Sequence, residues 1–103
     1  MEFSFRPLPP TVTLMPSDIE GMGLFAADYI RSDEMIGISH VENKSGKFHN
    51  NLIRTPIGGF INHSETPNCT LIKDGEIYYL FTTEEILPNH ELVLDFRLHP
   101  CGY

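Results

Sequence analysis

The sequence is poor in basic residues and in cysteine, and it contains no tryptophan. Seven lysines and arginines against fourteen acidic residues give a formal charge of -7, which repels phosphate backbones and anionic membrane surfaces. The apolar runs are also far shorter than the roughly 20 residues that cross a bilayer. We therefore expect neither nucleic acid nor a membrane as a partner.

The two cysteines, Cys69 and Cys101, have neither the density of a disulfide scaffold nor the CxxC spacing of a zinc ribbon or redox site. They are typical of reduced intracellular thiols. The first ten residues, MEFSFRPLPP, lack the apolar core of a signal peptide. The expected location is therefore cytoplasmic or nuclear, in a host cell if the protein is viral.

A chain of 103 residues fits one small domain. Its eight prolines and eight glycines leave little room for long helices, and no window keeps an apolar 3.6-residue period for three turns. These features predict a mainly β protein with few short helices. We expect an extended leader at 1–10, where prolines disfavour helix, a folded domain at 11–97 and a short tail at 98–103.

Alternating apolar residues place the strands. The predicted strands are Thr11–Met15, Met35–Ile38, Thr70–Lys73, Glu76–Thr82 and Glu91–Phe96. Asp74-Gly75 between the third and fourth runs is a typical hairpin turn. The polar segment Ser39–Arg54 is predicted to be a loop or a short helical insertion.

A polar cluster, Gly58–Cys69, reads GGFINHSETPNC. Asn62, His63 and Ser64 supply hydrogen-bond donors and acceptors that can hold a polar ligand. The alternative is an Asx-turn in which Asn62 and Asn68 satisfy their own loop. The segment alone does not decide between the two.

The glycine turn Gly21-Met22-Gly23 lets backbone groups approach a ligand closely, although ordinary strand connections use the same pattern. Metal is a further alternative, because a histidine and a cysteine lie near each other at His63 and Cys69. A second such pair is His99 and Cys101, but neither spacing matches a common zinc pattern. We expect no metal.

Taken in order, the segments GMGLFA, FINHSETPNC, FTTEEI and ELVLDF resemble the SET domain of protein lysine methyltransferases. The resemblance covers roughly Val12–Arg97, and NHSETPN matches the family's N-H-S-x-x-P-N motif in full. It implies a fold of small curved β-sheets in which the C-terminal segment passes through a loop as a pseudoknot. That arrangement sets the NHS motif beside the last strand.

The resemblance further implies a lysine N-methyltransferase that uses S-adenosylmethionine and acts on a protein or peptide, such as a basic histone-like tail. The backbone around Met22 and Gly23 would hold the amino acid end of the cofactor. Asn62 would bind its amino group, and the backbone of His63 would hold the adenine edge.

Phe96 departs from the family pattern, in which E-L-x-x-D-Y ends in a tyrosine whose hydroxyl lies by the transferring methyl group. A phenyl ring keeps the wall of the lysine channel but forms no such hydrogen bond. Tyr78, Tyr79 and Tyr103 are the candidates for a replacement hydroxyl. The alternative function is therefore a SET-fold binding module that retains cofactor or peptide binding without transfer.

Two further departures concern partners and metal. The insertion between Gly37 and Gly58 is short for the wall of a substrate groove, which suggests a different target or a second subunit and leaves a homodimer open. The cysteine-rich tail that binds zinc in some members is absent, and Glu65 stands where those members place a ligand cysteine. The missing tail and Glu65 both agree with the expectation of no metal.

Overall fold

The computed structural model describes residues 8–48 and 51–99, in which short strands predominate. The strands are β1 Val12–Pro16, β2 Met22–Ala26, β3 Met35–Glu42, β4 Leu52–Arg54, β5 Asn62–His63, β6 Cys69–Asp74, β7 Ile77–Thr82 and β8 Val93–Leu94. The helices are the short α1, Pro56–Phe60, and a 3-10 helix, Phe96–Leu98. The expectation of a mainly β fold is confirmed.

Three small sheets make up the domain. β1 and β2 form an antiparallel pair, and a four-stranded sheet has the order β4-β3-β7-β6. The third sheet pairs β5 with β8 in parallel, with Asn62 opposite Val93 and His63 opposite Leu94. The NHS motif therefore lies beside the final strand, as the resemblance implied.

The predicted hairpin between β6 and β7 is present, and its six residue pairs run from Asp74–Ile77 to Cys69–Thr82. Gly75 begins the tight turn with a φ of 63°, in the left-handed region that glycine adopts without strain. The strand predicted at Thr11–Met15 is also confirmed, shifted by one residue.

The prediction of a loop or short helix at Ser39–Arg54 is wrong at both ends of the segment, which are strands, while 43–48 forms turns. β3 continues to Glu42 and turns back into β4, with His40 opposite Arg54 and Glu42 opposite Leu52. A register irregularity between Ile38 and His40 breaks the alternation that marks a strand in sequence. As a result, the neighbouring Ser39 and His40 are both buried, and polar composition hid the strand.

The long last strand predicted at Glu91–Phe96 is also wrong, because only Val93 and Leu94 form β8. The side chain of Asp95 accepts a hydrogen bond from the backbone N–H of Arg97, and this cap starts the 3-10 helix at Phe96. The chain therefore bends just where the family pattern has its tyrosine.

The core lies among the sheets, where apolar side chains from most elements meet. Its most buried large members are Leu24, Ile30, Leu80, Ile86, Leu92 and Leu94. None of the helices in the described parts of the chain has the length and apolar content that crossing a bilayer requires.

Candidate functional site

The glycine turn between β1 and β2 forms one side of the candidate site. Gly21 has a φ of 49°, and its carbonyl accepts a 2.8 Å hydrogen bond from the backbone N–H of Ser17. The next carbonyl back, that of Glu20, accepts from the Nδ2 of Asn62 at 3.1 Å. The turn and the NHS motif, 42 positions apart, are thus in direct contact.

The carboxylate of Glu91 joins these two segments. It accepts hydrogen bonds from Ser17 Oγ at 2.8 and 2.9 Å and from Asn62 Nδ2 at 2.9 Å. A Cβ on Gly23 would lie 2.3 Å from Glu91 Oε2 and 3.1 Å from Asn62 Nδ2. The bare face of Gly23 is therefore covered by the Glu91 carboxylate, which explains why a glycine is needed there.

The second asparagine of the NHSETPN motif fixes the final strand. Asn68 Nδ2 donates to the Glu91 carbonyl at 2.8 Å, and Asn68 Oδ1 accepts from the Val93 N–H at 2.9 Å. Within the loop it is Ser64 Oγ that accepts the Thr66 N–H. The simple Asx-turn alternative is thus wrong for both asparagines, whose side chains bond to distant segments.

Phe96 is placed by charged and polar groups on either side. Arg97 donates hydrogen bonds to the buried Asp95 carboxylate from Nη2 at 2.6 Å and from Nε at 2.9 Å. These hydrogen bonds from Arg97 lower the pKa of Asp95 to about 2. The backbone N–H of Phe96 donates to His63 Nδ1 at 3.0 Å, and the two rings pack at 5.4 Å. The position of residue 96 is therefore tied to the NHS motif.

A cavity of about 180 Å³ opens beside these segments. It is lined by Glu20, His40, Arg54, Gly58, Gly59, Ile61, Asn62, Leu94 and Phe96. The lining includes polar residues such as Glu20 and Asn62 and apolar or aromatic residues, namely Ile61, Leu94 and Phe96. Because typical ligand sites enclose about 300–1,000 Å³, this cavity holds only part of a large ligand.

The predicted site residues differ in how they meet the cavity. Asn62 and Phe96 line it, and Gly23 lies against Asn62 and Glu91. Met22 is exposed at the start of β2, and His63 contacts Phe96 through its ring and Nδ1. The structure therefore brings the turn, the NHS motif and residue 96 to one place.

The tyrosines that were candidates for a replacement hydroxyl do not line the cavity in the described part of the chain. Tyr78 is buried on β7, with its ring 6.4 Å from that of His40 and 5.5 Å from Lys73 Nζ, and the cavity's described lining does not include it. Tyr79 is the next residue on that strand, so it faces the opposite side of the sheet. Tyr103 lies outside the described residues.

Cys69, one of the two cysteines, is buried at the start of β6. Burial raises the pKa of the Cys69 thiol to about 12, so the group is protonated at neutral pH. Within the described ranges 8–48 and 51–99, no group of three or more His, Cys, Asp or Glu side chains is arranged to hold a metal. Cys101 lies outside those ranges.

Three residues in the site escaped the sequence analysis: Ser17, His40 and Glu91. Ser17 and Glu91 are 74 positions apart, and no local pattern connects them. Glu91 carried a usable signal as the first residue of ELVLDF, the segment that resembles the family's E-L-x-x-D-Y. His40 carried none, since it lies in the segment predicted to be a loop.

Solved structures resemble this fold at low sequence identity. A Plasmodium falciparum protein described as a histone methyltransferase has a TM-score of 0.67 and 18% identity, covering 82% of this chain and 91% of its own. The methyltransferase domain of human PR domain-containing protein 2 has a TM-score of 0.67 and 20% identity, covering 84% and 76%. The SET domain of the RIZ1 tumour suppressor has a TM-score of 0.70 and 18% identity, covering 88% and 72%. At such identities the likeness shows the fold alone.

Sequence comparison gives the family directly. Among curated proteins no sequence matches this chain. The sequence model of the SET domain, however, matches residues 38–97, which is more than half of the chain. That region contains the NHS motif, the β6–β7 hairpin and the segment that ends at Phe96. With the same fold in the solved structures, these findings establish that the chain belongs to the SET domain family.

Proposed function

We propose that this protein is an S-adenosylmethionine-dependent lysine methyltransferase of the SET type, acting on a basic protein tail. Family membership and the methyltransferases among its structural neighbours support a methyltransferase. One observation supports the finer proposal. The Asn62 amide is held by the Glu20 carbonyl and the Glu91 carboxylate at the edge of a cavity that ends on Phe96.

The cofactor fits the groups at the polar side of the cavity. Both hydrogen bonds of the Asn62 amide use Nδ2, and no described residue donates to Oδ1, so that oxygen is an acceptor for an ammonium group. The Glu91 carboxylate bonds to neutral donors and has no ion pair among the described residues. A ligand with an ammonium and a sulfonium is attracted to this charge.

Four residues would hold the cofactor: Met22, Gly23, Asn62 and His63. When bound, it supplies a methyl carbon that its sulfonium has already activated. Because the cavity is smaller than the whole molecule, part of the cofactor would lie on the open surface beside the glycine turn.

The remaining chemistry belongs to the protein side chains. A lysine amine with an ordinary pKa of about 10.4 is protonated at pH 7 and must lose its proton before it attacks. Ile61, Leu94 and Phe96 contribute apolar surface to the cavity and Arg54 contributes a positive charge, and both disfavour the charged form of an amine bound beside them. The narrow space then fixes the amine's direction, which is the main requirement of a displacement at an activated carbon.

The acidity of the chain fits a basic partner. A formal charge of -7 attracts a lysine-rich tail and repels nucleic acid. We propose the cytoplasm or nucleus as the compartment, and we leave the assembly at one chain or a homodimer. Sedimentation at several concentrations separates these two states.

A second candidate function is a binding module without transfer. The observation that favours it is Phe96, because the described lining of the cavity contains no tyrosine to replace the missing hydroxyl. Loss of one oriented hydrogen-bond donor at a reacting centre costs about 10²-fold or more in rate. A chain with this loss would still bind cofactor and peptide.

Titration calorimetry with S-adenosylmethionine tests the cofactor proposal. We expect the wild type to bind and Asn62→Ala to bind several-fold more weakly, since both the ammonium acceptor and the anchor of Glu91 are lost. Asn43→Ala, which removes an asparagine side chain from the β3–β4 connection, serves as the matched control. A wild type that binds no cofactor would disprove the function, and full affinity in Asn62→Ala would disprove the assigned contact.

Transfer of labelled methyl groups to purified core histones separates the two candidate functions. Incorporation into lysine, identified by mass spectrometry of the digested histones, supports the enzyme. Cofactor binding without incorporation supports the binding module.

A further inference from the structure

His40 carries a buried nitrogen atom without a hydrogen bond. The residue is only 2% exposed, and its Nε2 is the buried side-chain polar atom left without a partner in the described parts of the chain. Burying a polar group without a partner costs about 1–3 kcal/mol, so few such groups persist in folded proteins. A ligand that supplies the missing partner would recover that cost.

The hydrogen bonds of Ser39 favour one tautomer of His40. Ser39 Oγ donates to the Tyr78 carbonyl at 3.2 Å, and a carbonyl can only accept. With its single proton used there, the Ser39 hydroxyl accepts at its 2.9 Å contact with His40 Nδ1. This arrangement puts the His40 proton on Nδ1 and leaves a lone pair on Nε2.

His40 belongs to the wall of the cavity that contains Asn62 and Phe96. Its Nε2 lies against Gly58, where a Cβ would come within 3.0 Å of that nitrogen and 2.1 Å of the Ser39 carbonyl oxygen. Any side chain at position 58 would therefore crowd this part of the wall. Nε2 itself is closed to solvent, so a hydrogen-bond donor in the cavity reaches it only when this wall moves.

Burial and a neighbouring positive charge keep the His40 ring neutral. Burial is the main cause and the Arg54 charge the second, and together they lower the pKa of His40 to about 4. Arg54 faces His40 from β4, Tyr78 faces it from β7, and Glu20 lies on the same cavity. At neutral pH the imidazole is therefore an acceptor.

We propose that Nε2 of His40 accepts a hydrogen bond from the amine of the substrate lysine and so orients it for transfer. A neutral amine has two N–H donors and one lone pair, so this bond leaves the lone pair free to attack. The inference rests on the proposed function, and it gives the cavity a polar contact for the amine although Phe96 has no hydroxyl.

Two matched variants separate the Nε2 contact from the rest of the ring. His40→Asn keeps a polar group at the position of Nδ1, within reach of Ser39, and removes the acceptor at the position of Nε2. His40→Gln places an amide oxygen near the position of Nε2. Melting temperatures and affinities for S-adenosylhomocysteine show whether each variant is folded with an intact cofactor site.

The test measures binding of a histone H3 tail peptide, and of the same peptide with norleucine in place of every lysine, at saturating S-adenosylhomocysteine. Norleucine keeps an aliphatic stem and has no N–H. We expect His40→Asn to weaken the lysine peptide by up to about tenfold, as for one lost hydrogen bond between neutral groups, and to leave the norleucine peptide unchanged. His40→Gln should recover most of the loss.

A merely structural role for His40 would give a different pattern. Equal losses for both peptides in His40→Asn, unchanged affinity for the lysine peptide, or no binding of that peptide by the wild type would overturn the inference. These outcomes differ from failure of the proposed function, which appears as absent cofactor binding or absent methyl transfer by the wild type.

Discussion

Lowering the pH should destabilise this fold because His40 is buried in its neutral form. Substituting His40 should remove this part of the pH dependence. An unfolded histidine has a pKa near 6.5, whereas burial and Arg54 lower the pKa of folded His40 to about 4. Above pH 6.5 neither state binds this proton. Between pH 6.5 and 4 the unfolded chain binds it and the folded chain does not, so the free energy of unfolding falls as pH falls. Below pH 4 the effect levels off.

The expected size follows from the two pKa values. One pKa unit corresponds to about 1.36 kcal/mol, so the gap from 6.5 to about 4 amounts to about 3 kcal/mol between pH 7 and pH 4. For a domain of this size such a loss lowers the melting temperature by about 15 °C. Arg54 remains charged throughout, so its contribution to the pKa of His40 is present over the whole range.

Urea denaturation of the wild type and of His40→Asn at pH 7 and pH 4 measures this effect. Carboxylates and other histidines, including His99, titrate in both proteins and largely cancel in the comparison. We expect the wild type to lose about 3 kcal/mol more than the variant. The same loss in both proteins would show that His40 is not held neutral in the fold, and the reasoning about its lone pair would fail with it.

Two further substitutions test the site. Phe96→Tyr should raise methyl transfer to histones by about tenfold or more, because it restores an oriented hydroxyl, and unchanged or lower transfer would mean that the ring is not beside the amine. Gly23→Ala should destabilise the fold by about 1–3 kcal/mol in urea denaturation, because its Cβ displaces the Glu91 carboxylate and breaks the hydrogen bond to Asn62. Gly59→Ala, whose Cβ would meet nothing within 4 Å, is the control, and equal stability of the two variants would contradict this role of Glu91.

The sequence predicted those parts of the fold that depend on local patterns. Asp74-Gly75 between two apolar runs gave the β6–β7 hairpin, since a tight turn and an alternating pattern are both local properties. The family motif NHSETPN gave the neighbourhood of β5 and β8, which spacing alone could not, because the two strands are about thirty residues apart. The resemblance to the SET family therefore predicted this long-range contact between β5 and β8.

The parts that were mispredicted depend on tertiary contacts. The irregular register near Ile38 buries two consecutive polar residues, Ser39 and His40, and this burial has no counterpart in a period-2 pattern. Glu91 looked like an ordinary strand residue until the fold placed it against Ser17 and Asn62. The sequence could therefore predict the family and its motifs, but it could not predict which side chains complete the cavity.

The surroundings of His40 and of Glu91 favour different charges, and this difference bears on how a lysine would lose its proton. Burial and the nearby Arg54 charge disfavour a proton on His40, and both would act in the same direction on an amine bound beside that ring. The carboxylate of Glu91, which bonds to Asn62, would favour the cationic cofactor proposed there. An amine bound beside His40 would therefore be driven toward its neutral, nucleophilic form without a strong base. In such an enzyme Phe96 would supply part of the wall and His40 the direction of the amine, and a hydroxyl at residue 96 would add to that orientation.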